Sequence, residues 1–136
     1  MTVRPLRLSG FAAALLALGC VNVGTQVQDF SVASGPNGAM ANIQTESEAI
    51  SGELLAVQED GVIVLDNSVM ELVPYHSVRS LRLRELDGDY ALGSDAPDRA
   101  RRARLASVSR YPQGINVQLR QRLLAQLRQS EIVVAR

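Results

Sequence analysis

The chain has 136 residues and a formal net charge of zero, with every basic residue an arginine. It contains one cysteine and one histidine, which excludes an internal disulfide and a histidine-rich metal site. A chain of this length forms one domain with a core of its own rather than two.

The first twenty residues have the pattern of a secretory signal. Arg4 and Arg7 precede an apolar run over residues 8–21, and no acidic residue comes before Asp29. The run is shorter than the roughly 20 apolar residues that a membrane-spanning helix needs. The sequence therefore predicts an exported protein whose leader is removed.

The end of this run, Leu16-Ala17-Leu18-Gly19-Cys20, resembles the lipobox of bacterial lipoproteins. That family favours Leu three places before the cysteine and a small residue two places before, where this chain has Ala17 and Leu18. The resemblance implies cleavage before Cys20, with covalent diacylglycerol and an N-acyl chain on Cys20 and no other cofactor. Two alternatives remain: ordinary signal cleavage after Ala17-x-Gly19, and a cysteine buried in the core.

A lipid on Cys20 implies a location as well as an anchor. The expected partner is a membrane, bound through the lipid, because two or more acyl chains hold a protein stably on a bilayer. Val21, not aspartate, follows the cysteine, so the inner-membrane retention signal of enteric bacteria is absent. The expected location is the periplasmic face of the outer membrane in the bacterial cell envelope.

Four regions follow one another along the chain: a signal peptide over 1–19, a tether over 20–38, a small β-barrel over 39–84, and an acidic loop with an Arg-rich helical segment packed on the barrel over 85–136. Charge is divided unevenly between them. Residues 20–98 hold three arginines against thirteen acidic residues, and residues 99–136 hold nine arginines against one glutamate. Such asymmetry indicates either an interacting surface or two halves that neutralise each other within the fold.

Residues 39–84 contain five short apolar runs separated by turn residues. Asp60-Gly61 predicts a type I′ hairpin, and Asp66-Asn67-Ser68 predicts the next turn. The stretch "SGELLAVQEDGVIVLD", followed by Val73-Pro74 and Val78, resembles SH3-like and Sm-like small barrels. The expected fold class is α+β, an antiparallel small barrel followed by two helices and a short strand.

The last third of the chain predicts two helices. The first covers about 95–110 with Asp95 as its cap, and the second covers 116–129 with Asn116 as its cap. Ile115, Leu119, Leu123 and Leu127 recur every four residues and predict one apolar stripe on the second helix. A short final strand is expected over 131–135.

The first helix carries a cluster of four arginines that is the candidate site for a polyanion. These are Arg99, Arg101, Arg102 and Arg104. Arginine clusters bind phosphates, although a solvated face or pairing with the acidic half also accounts for this pattern. Nucleic acid is not expected as a partner, because an exported protein does not meet it routinely and the Asp-x-x-Met-Asn stretch of Sm-like proteins is missing.

No motif of the sequence predicts catalysis. There is no Gly-x-Ser-x-Gly elbow and no Gly-rich phosphate loop, and the acidic loop over 87–98 lacks the EF-hand spacing for calcium. His76 is expected on the surface. The sequence favours a lipid-anchored binding or assembly module, not an enzyme, with a homo-oligomer or an envelope protein as partner. The alternative is an Sm-like protein that binds nucleic acid or another polyanion through its Arg-rich half.

Overall fold

The computed structural model describes residues 37–86 and 88–136 as an α+β fold. Its main elements are a six-stranded sheet and two helices. Their bounds are β1 Met40–Thr45, β2 Ala49–Val57, β3 Gly61–Asp66, β4 Val69–Pro74, β5 Val78–Leu83, α1 Arg99–Ser107, α2 Val117–Leu127 and β6 Val133–Val134. Single 3₁₀ turns cover Tyr75–Ser77 and Gly88–Tyr90.

The strands lie in the order β5-β1-β2-β3-β4-β6, antiparallel except for β6, which runs parallel to β4. Among the described residues the sheet is not closed, so the closed small barrel expected from the sequence is not confirmed. The pairing gives the reason. The β5 strand pairs with β1, and β6 occupies the edge of β4 where a closing strand would pair.

Two apolar clusters lie on opposite faces of the sheet. Alternate side chains of a strand point to opposite faces. In β3, Val62 and Val64 belong to one cluster, called the inner cluster, and Ile63 belongs to the other, called the outer cluster. The inner cluster is completed by Leu105 of α1 and residues of the other strands. The outer cluster is covered by α2. The β3 strand is therefore apolar on both faces, which is why it needs a layer on each side.

A β-bulge in β2 lets this strand contribute to both clusters. The register with β3 shifts between Leu54 and Ala56, and the extra residue is Leu55. The backbone after α1 crosses the strand at this point: the Arg110 N–H donates to the Leu54 carbonyl (3.0 Å) and the Tyr111 N–H to the Leu55 carbonyl (2.8 Å). The bulge thus joins the Arg-rich segment to the sheet.

The prediction of a type I′ turn at Asp60-Gly61 is wrong. The Gln58 N–H donates to the Gly61 carbonyl at 2.8 Å, and Gly61, already the first residue of β3, does not have a positive φ. The two-residue turn with positive φ joins β3 to β4 instead, at Asn67 (47°) and Ser68 (67°). Gly61 is buried, and a Cβ there would collide with the Val73 carbonyl oxygen of β4.

The helix caps agree with the sequence in one helix and differ in the other. Asn116 caps α2 as expected, its Oδ1 accepting from the Leu119 N–H at 2.8 Å. In α1 the cap is Asp98, not Asp95, and its Oδ1 accepts from the Arg101 N–H at 2.7 Å. Pro97 therefore lies before the helix, where its fixed φ suits the extended approach.

The α2 helix packs one side on the outer cluster without burying any residue fully. From α2, the half-buried side chains that reach this cluster are Leu123, Leu124 and Leu127, and Ile115 reaches it from just before the helix. Leu119, which the four-residue spacing placed on the same stripe, is half-buried but is not among them.

The residues after α2 bind the sheet through side-chain and backbone hydrogen bonds. The Gln129 side-chain amide pairs with the backbone of Met70 as a neighbouring strand would. Its Oε1 accepts from the Met70 N–H (2.7 Å), and its Nε2 donates to the Met70 carbonyl (3.3 Å). Beyond β6, the Arg136 N–H donates to Glu48 Oε1 (3.1 Å), and the Thr45 hydroxyl donates to the Arg136 carbonyl (3.0 Å). These contacts hold β6 between β4 and the β1–β2 turn.

Replacing Gly61 tests the close approach of β3 and β4. We expect Gly61→Ala to destabilise the fold by about 1–3 kcal/mol, because the new Cβ forces the two backbones apart. Gly93→Ala is the matched control, since a Cβ at Gly93 meets no atom within 4 Å. Equal midpoints of urea unfolding for the two variants would contradict the packing of Gly61.

Truncating Leu123 tests whether α2 is docked in solution. We expect Leu123→Ala to cost about 2 kcal/mol, the lower end for a leucine, because its side chain is half-buried. The exposed neighbour Arg122→Ala serves as control and should change stability by a few tenths at most (~0.5 kcal/mol). A Leu123→Ala variant with the same melting temperature as the wild type would mean that α2 is not docked on the sheet.

Candidate functional site

Two hydrogen bonds from Tyr75 hold the β2–β3 turn, which lies beside α1. The buried Tyr75 hydroxyl donates to the Gln58 carbonyl at 2.8 Å, and the Tyr75 N–H donates to the Asp60 carbonyl at 3.0 Å. Burial raises the pKa of Tyr75 to about 12, with Arg102 acting in the opposite direction and Asp60 in the same one. Tyr75 is therefore a neutral donor near neutral pH, and it fixes the turn from within the core.

A cleft of about 580 Å³ lies between this turn and α1. Arg99 and Arg102 line it from the helix, and Gln58 and Glu59 line it from the turn. Arg102 Nη1 also donates to the Pro97 carbonyl at 3.0 Å, which orients its guanidinium group. The cleft brings together two of the four arginines predicted as a polyanion site, with one carboxylate beside them.

The other two arginines of the cluster do not line this cleft. Arg104 Nη1 lies 3.8 Å from Asp89 Oδ2, and Arg101 is exposed. Because each residue of a helix advances about 100° around its axis, positions 101 and 104 point away from 99 and 102. The structure thus divides the cluster into two pairs instead of forming one four-arginine site.

The other two residues that the sequence singled out are Cys20 and His76. Cys20, the predicted lipid attachment site, lies outside the described residues. Within 37–86 and 88–136, no group of three or more His, Cys, Asp or Glu side chains is placed to hold a metal ion. His76 is exposed in the 3₁₀ turn before β5.

The outer edge of β6 is an exposed apolar edge of the sheet, a position that the sequence alone did not predict. Val133 and Val134 are 45% and 56% exposed, and in the described residues they pair only with Glu71 and Leu72 of β4. The next residue, Ala135, is buried in the inner cluster. The apolar run at 132–135 signals a strand, but not its place at the edge of the sheet.

Two glutamates flank this edge. Glu48 and Glu71 line a depression of about 350 Å³ together with Val133 and Val134. Burial is the main cause that raises the pKa of Glu71, and the charges of Glu48 and Asp66 add to it. The ionised Glu71 therefore disfavours the folded state.

Neither of the two described helices has the length and apolar character that a bilayer crossing demands. Comparison with known proteins finds no matching family model, no matching curated protein and no matching solved structure.

The raised pKa of Glu71 predicts a pH-dependent stability. Because the pKa of Glu71 in the folded state lies above the ordinary 4.5, the ionised carboxylate destabilises the fold at neutral pH. This loss of stability fades as the pH falls through the pKa of the folded state. We expect Glu71→Gln to raise the melting temperature at pH 7, with a gain that disappears in acid. The exposed Glu85→Gln is the control. A Glu71→Gln variant that melts at or below the wild type at pH 7 would contradict this account.

Proposed function

We propose that this chain is a lipid-anchored protein of the bacterial cell envelope that acts as a binding or assembly module and not as an enzyme. The observation that carries the proposal is the N-terminal pattern: Arg4 and Arg7, the apolar run, and Gly19-Cys20 at its end. The absence of aspartate after Cys20 supports the periplasmic face of the outer membrane as its location.

The anchor in this proposal is covalent lipid on Cys20. Each buried methylene contributes about 0.8 kcal/mol to membrane binding, so a diacylglycerol with an N-acyl chain holds a protein of this size on a bilayer. Residues 20–38 then connect the lipid to the folded domain, which begins at the end of that segment.

The order of the strands supports a small open barrel of the SH3-like class as the binding module. The consecutive strands β1 to β5 form a meander in which β5 returns to pair with β1. Val73-Pro74 leads into a 3₁₀ turn directly before β5, which supports the resemblance. The proposal assigns this sheet the role of a scaffold for surfaces at its edges and on its faces.

The edge of β6 supports the assembly role. A strand edge with free backbone groups and apolar side chains is a template for pairing with another strand. Val133 and Val134 provide such side chains, and Ala135 holds the strand in register from the core. A second copy of the chain or an envelope protein is the proposed partner at this edge.

A second function is favoured by the cleft beside α1. Arg99 and Arg102 lie together there, and paired guanidinium groups bind anions such as phosphates. The alternative function is therefore polyanion binding through the Arg-rich half. Glu59 at the same cleft reduces its positive charge, which is why this function stands second.

Replacing Cys20 tests the proposed anchor. We expect wild-type protein from bacterial cells to begin at Cys20, to carry added acyl mass and to stay with membranes after washing at high pH. Cys20→Ser should keep the leader uncleaved and lack the acyl mass, because only the cysteine thiol accepts the lipid. Val21→Ala is the control and should behave as the wild type.

The readouts are intact mass spectrometry and membrane fractionation. Wild-type protein that washes off membranes and shows no acyl mass would contradict the proposal. If such protein also bound an anionic resin in a manner that Arg99→Gln and Arg102→Gln weakened, polyanion binding would replace it.

A further inference from the structure

Half of the outer sheet face has no helix over it in the described part of the chain. On β3 and β4 the outer cluster is covered by α2, whereas on β5, β1 and the start of β2 the outward side chains are exposed. Cross-strand pairing places Arg82, Asn42 and Ser51 in one row on this half. In the next row the Arg84 N–H donates to the carbonyl of exposed Met40 at 2.8 Å. We call these five residues the basic face.

The basic face carries two arginines without a carboxylate partner among the described residues. The nearest acidic side chain in the rows is Glu53, opposite Met40. Its Oε1 accepts from the Gly38 N–H at 2.6 Å, and its Oε2 lies 3.3 Å from Arg110 Nη1, so its charge is already compensated. Arg82 and Arg84 therefore leave this surface net positive, although residues 20–98 as a whole are strongly acidic.

Three described carboxylates of the acidic half have contacts or positions away from this face. Glu46 pairs with Arg79 at 3.6 Å, Glu59 lines the cleft beside α1, and Glu71 lies at the edge of β6. The exposed Glu85 follows Arg84 directly in sequence, and Asp87, which lies outside the described residues, follows two positions later. The charge of Glu85 offsets part of the field of Arg84 and offers a way to test the sign of the interaction.

The chain that leads from Cys20 enters the domain at the basic face. Gly38 donates to Glu53, and two residues later Met40 begins β1. The segment between Cys20 and Gly38 spans at most about 60 Å when fully extended. A domain held this close to a bilayer meets the headgroups at an effective concentration on the order of millimolar, so weak contacts suffice to orient it.

We propose that the basic face lies against anionic phospholipid headgroups of the membrane that holds Cys20, with Arg82 and Arg84 as the contacts. The inference rests on the proposed lipid anchor and adds an orientation to it. Each arginine near an anionic bilayer surface favours the bound state roughly fivefold, and two favour it roughly thirtyfold. Met40 supplies an exposed apolar side chain on the same face. The edge of β6 and the cleft beside α1 then remain available for partners.

The test uses the acylated full chain in lipid vesicles and measures which face meets the lipid. Ser51→Cys places a fluorophore on the basic face, and Ala100→Cys places the same fluorophore on the exposed side of α1. Brominated lipids quench fluorophores at the bilayer surface. One set of vesicles is pure phosphatidylcholine, and the other is an equal mixture with phosphatidylglycerol.

We expect the Ser51→Cys label to be quenched several-fold more in the anionic vesicles, and the Ala100→Cys label to be weakly quenched in both. Arg82→Gln with Arg84→Gln should reduce the quenching to the level in neutral vesicles, and Glu85→Gln should increase it. Added salt should weaken it in the unmutated background, since salt screens interactions between exposed charges.

Four results would overturn the inference. Protein that floats with the vesicles but leaves the Ser51→Cys label unquenched would refute the orientation and leave the anchor intact, whereas protein that does not float refutes both. A Ser51→Cys label that is shielded from water but not quenched by lipid would assign the face to another occupant. If the shielding rises with the number of protein molecules per vesicle, that occupant is a second copy of the chain; if it does not, the occupant is residues 21–36. Quenching of the Ala100→Cys label alone would assign the membrane contact to the arginines of α1.

Discussion

The apolar character of β3 on both faces is the constraint on which the rest of this structure depends. Val62 and Val64 fill the inner cluster, and Ile63 faces the outer one, so the strand needs a layer on each side. A meander of five strands folds around the inner side, but it leaves the outer side of β3 and β4 open to water. The α2 helix covers that side, and this requirement explains why the Arg-rich segment packs on the sheet.

Covering the outer side has a consequence for the sheet edges. After α2 the chain returns along β4, where Gln129 binds the Met70 backbone and β6 takes the outer edge of the strand. A sheet whose β4 edge is occupied in this way does not close on β5. The same packing that stabilises the core therefore leaves an exposed edge at Val133 and Val134, where the proposed assembly would take place.

The uneven charge along the chain is compensated in the fold only in part. Arg110 pairs with Glu53 and Arg104 with Asp89, which are contacts between the basic and the acidic halves. The pair with Glu53 is the more sheltered from water, and it holds the crossing segment at the bulge of β2. Exposed pairs contribute little to stability. The arginines left without partners are therefore better considered for binding, and under the proposed anchor those of the basic face are the nearest to a membrane.

The sequence by itself determined the elements of this fold, because alternation, turn residues and caps are local properties: the five strands, the turn at Asn67-Ser68 and the Asn116 cap all follow from neighbours along the chain. Only the tertiary structure decided that Gly61 is needed for contact with β4, because its neighbour there is distant in sequence. It also divided the arginines of α1 into two pairs and placed β6 at an edge. These outcomes depend on which surfaces meet once both faces of β3 are covered, and no local pattern contains that information.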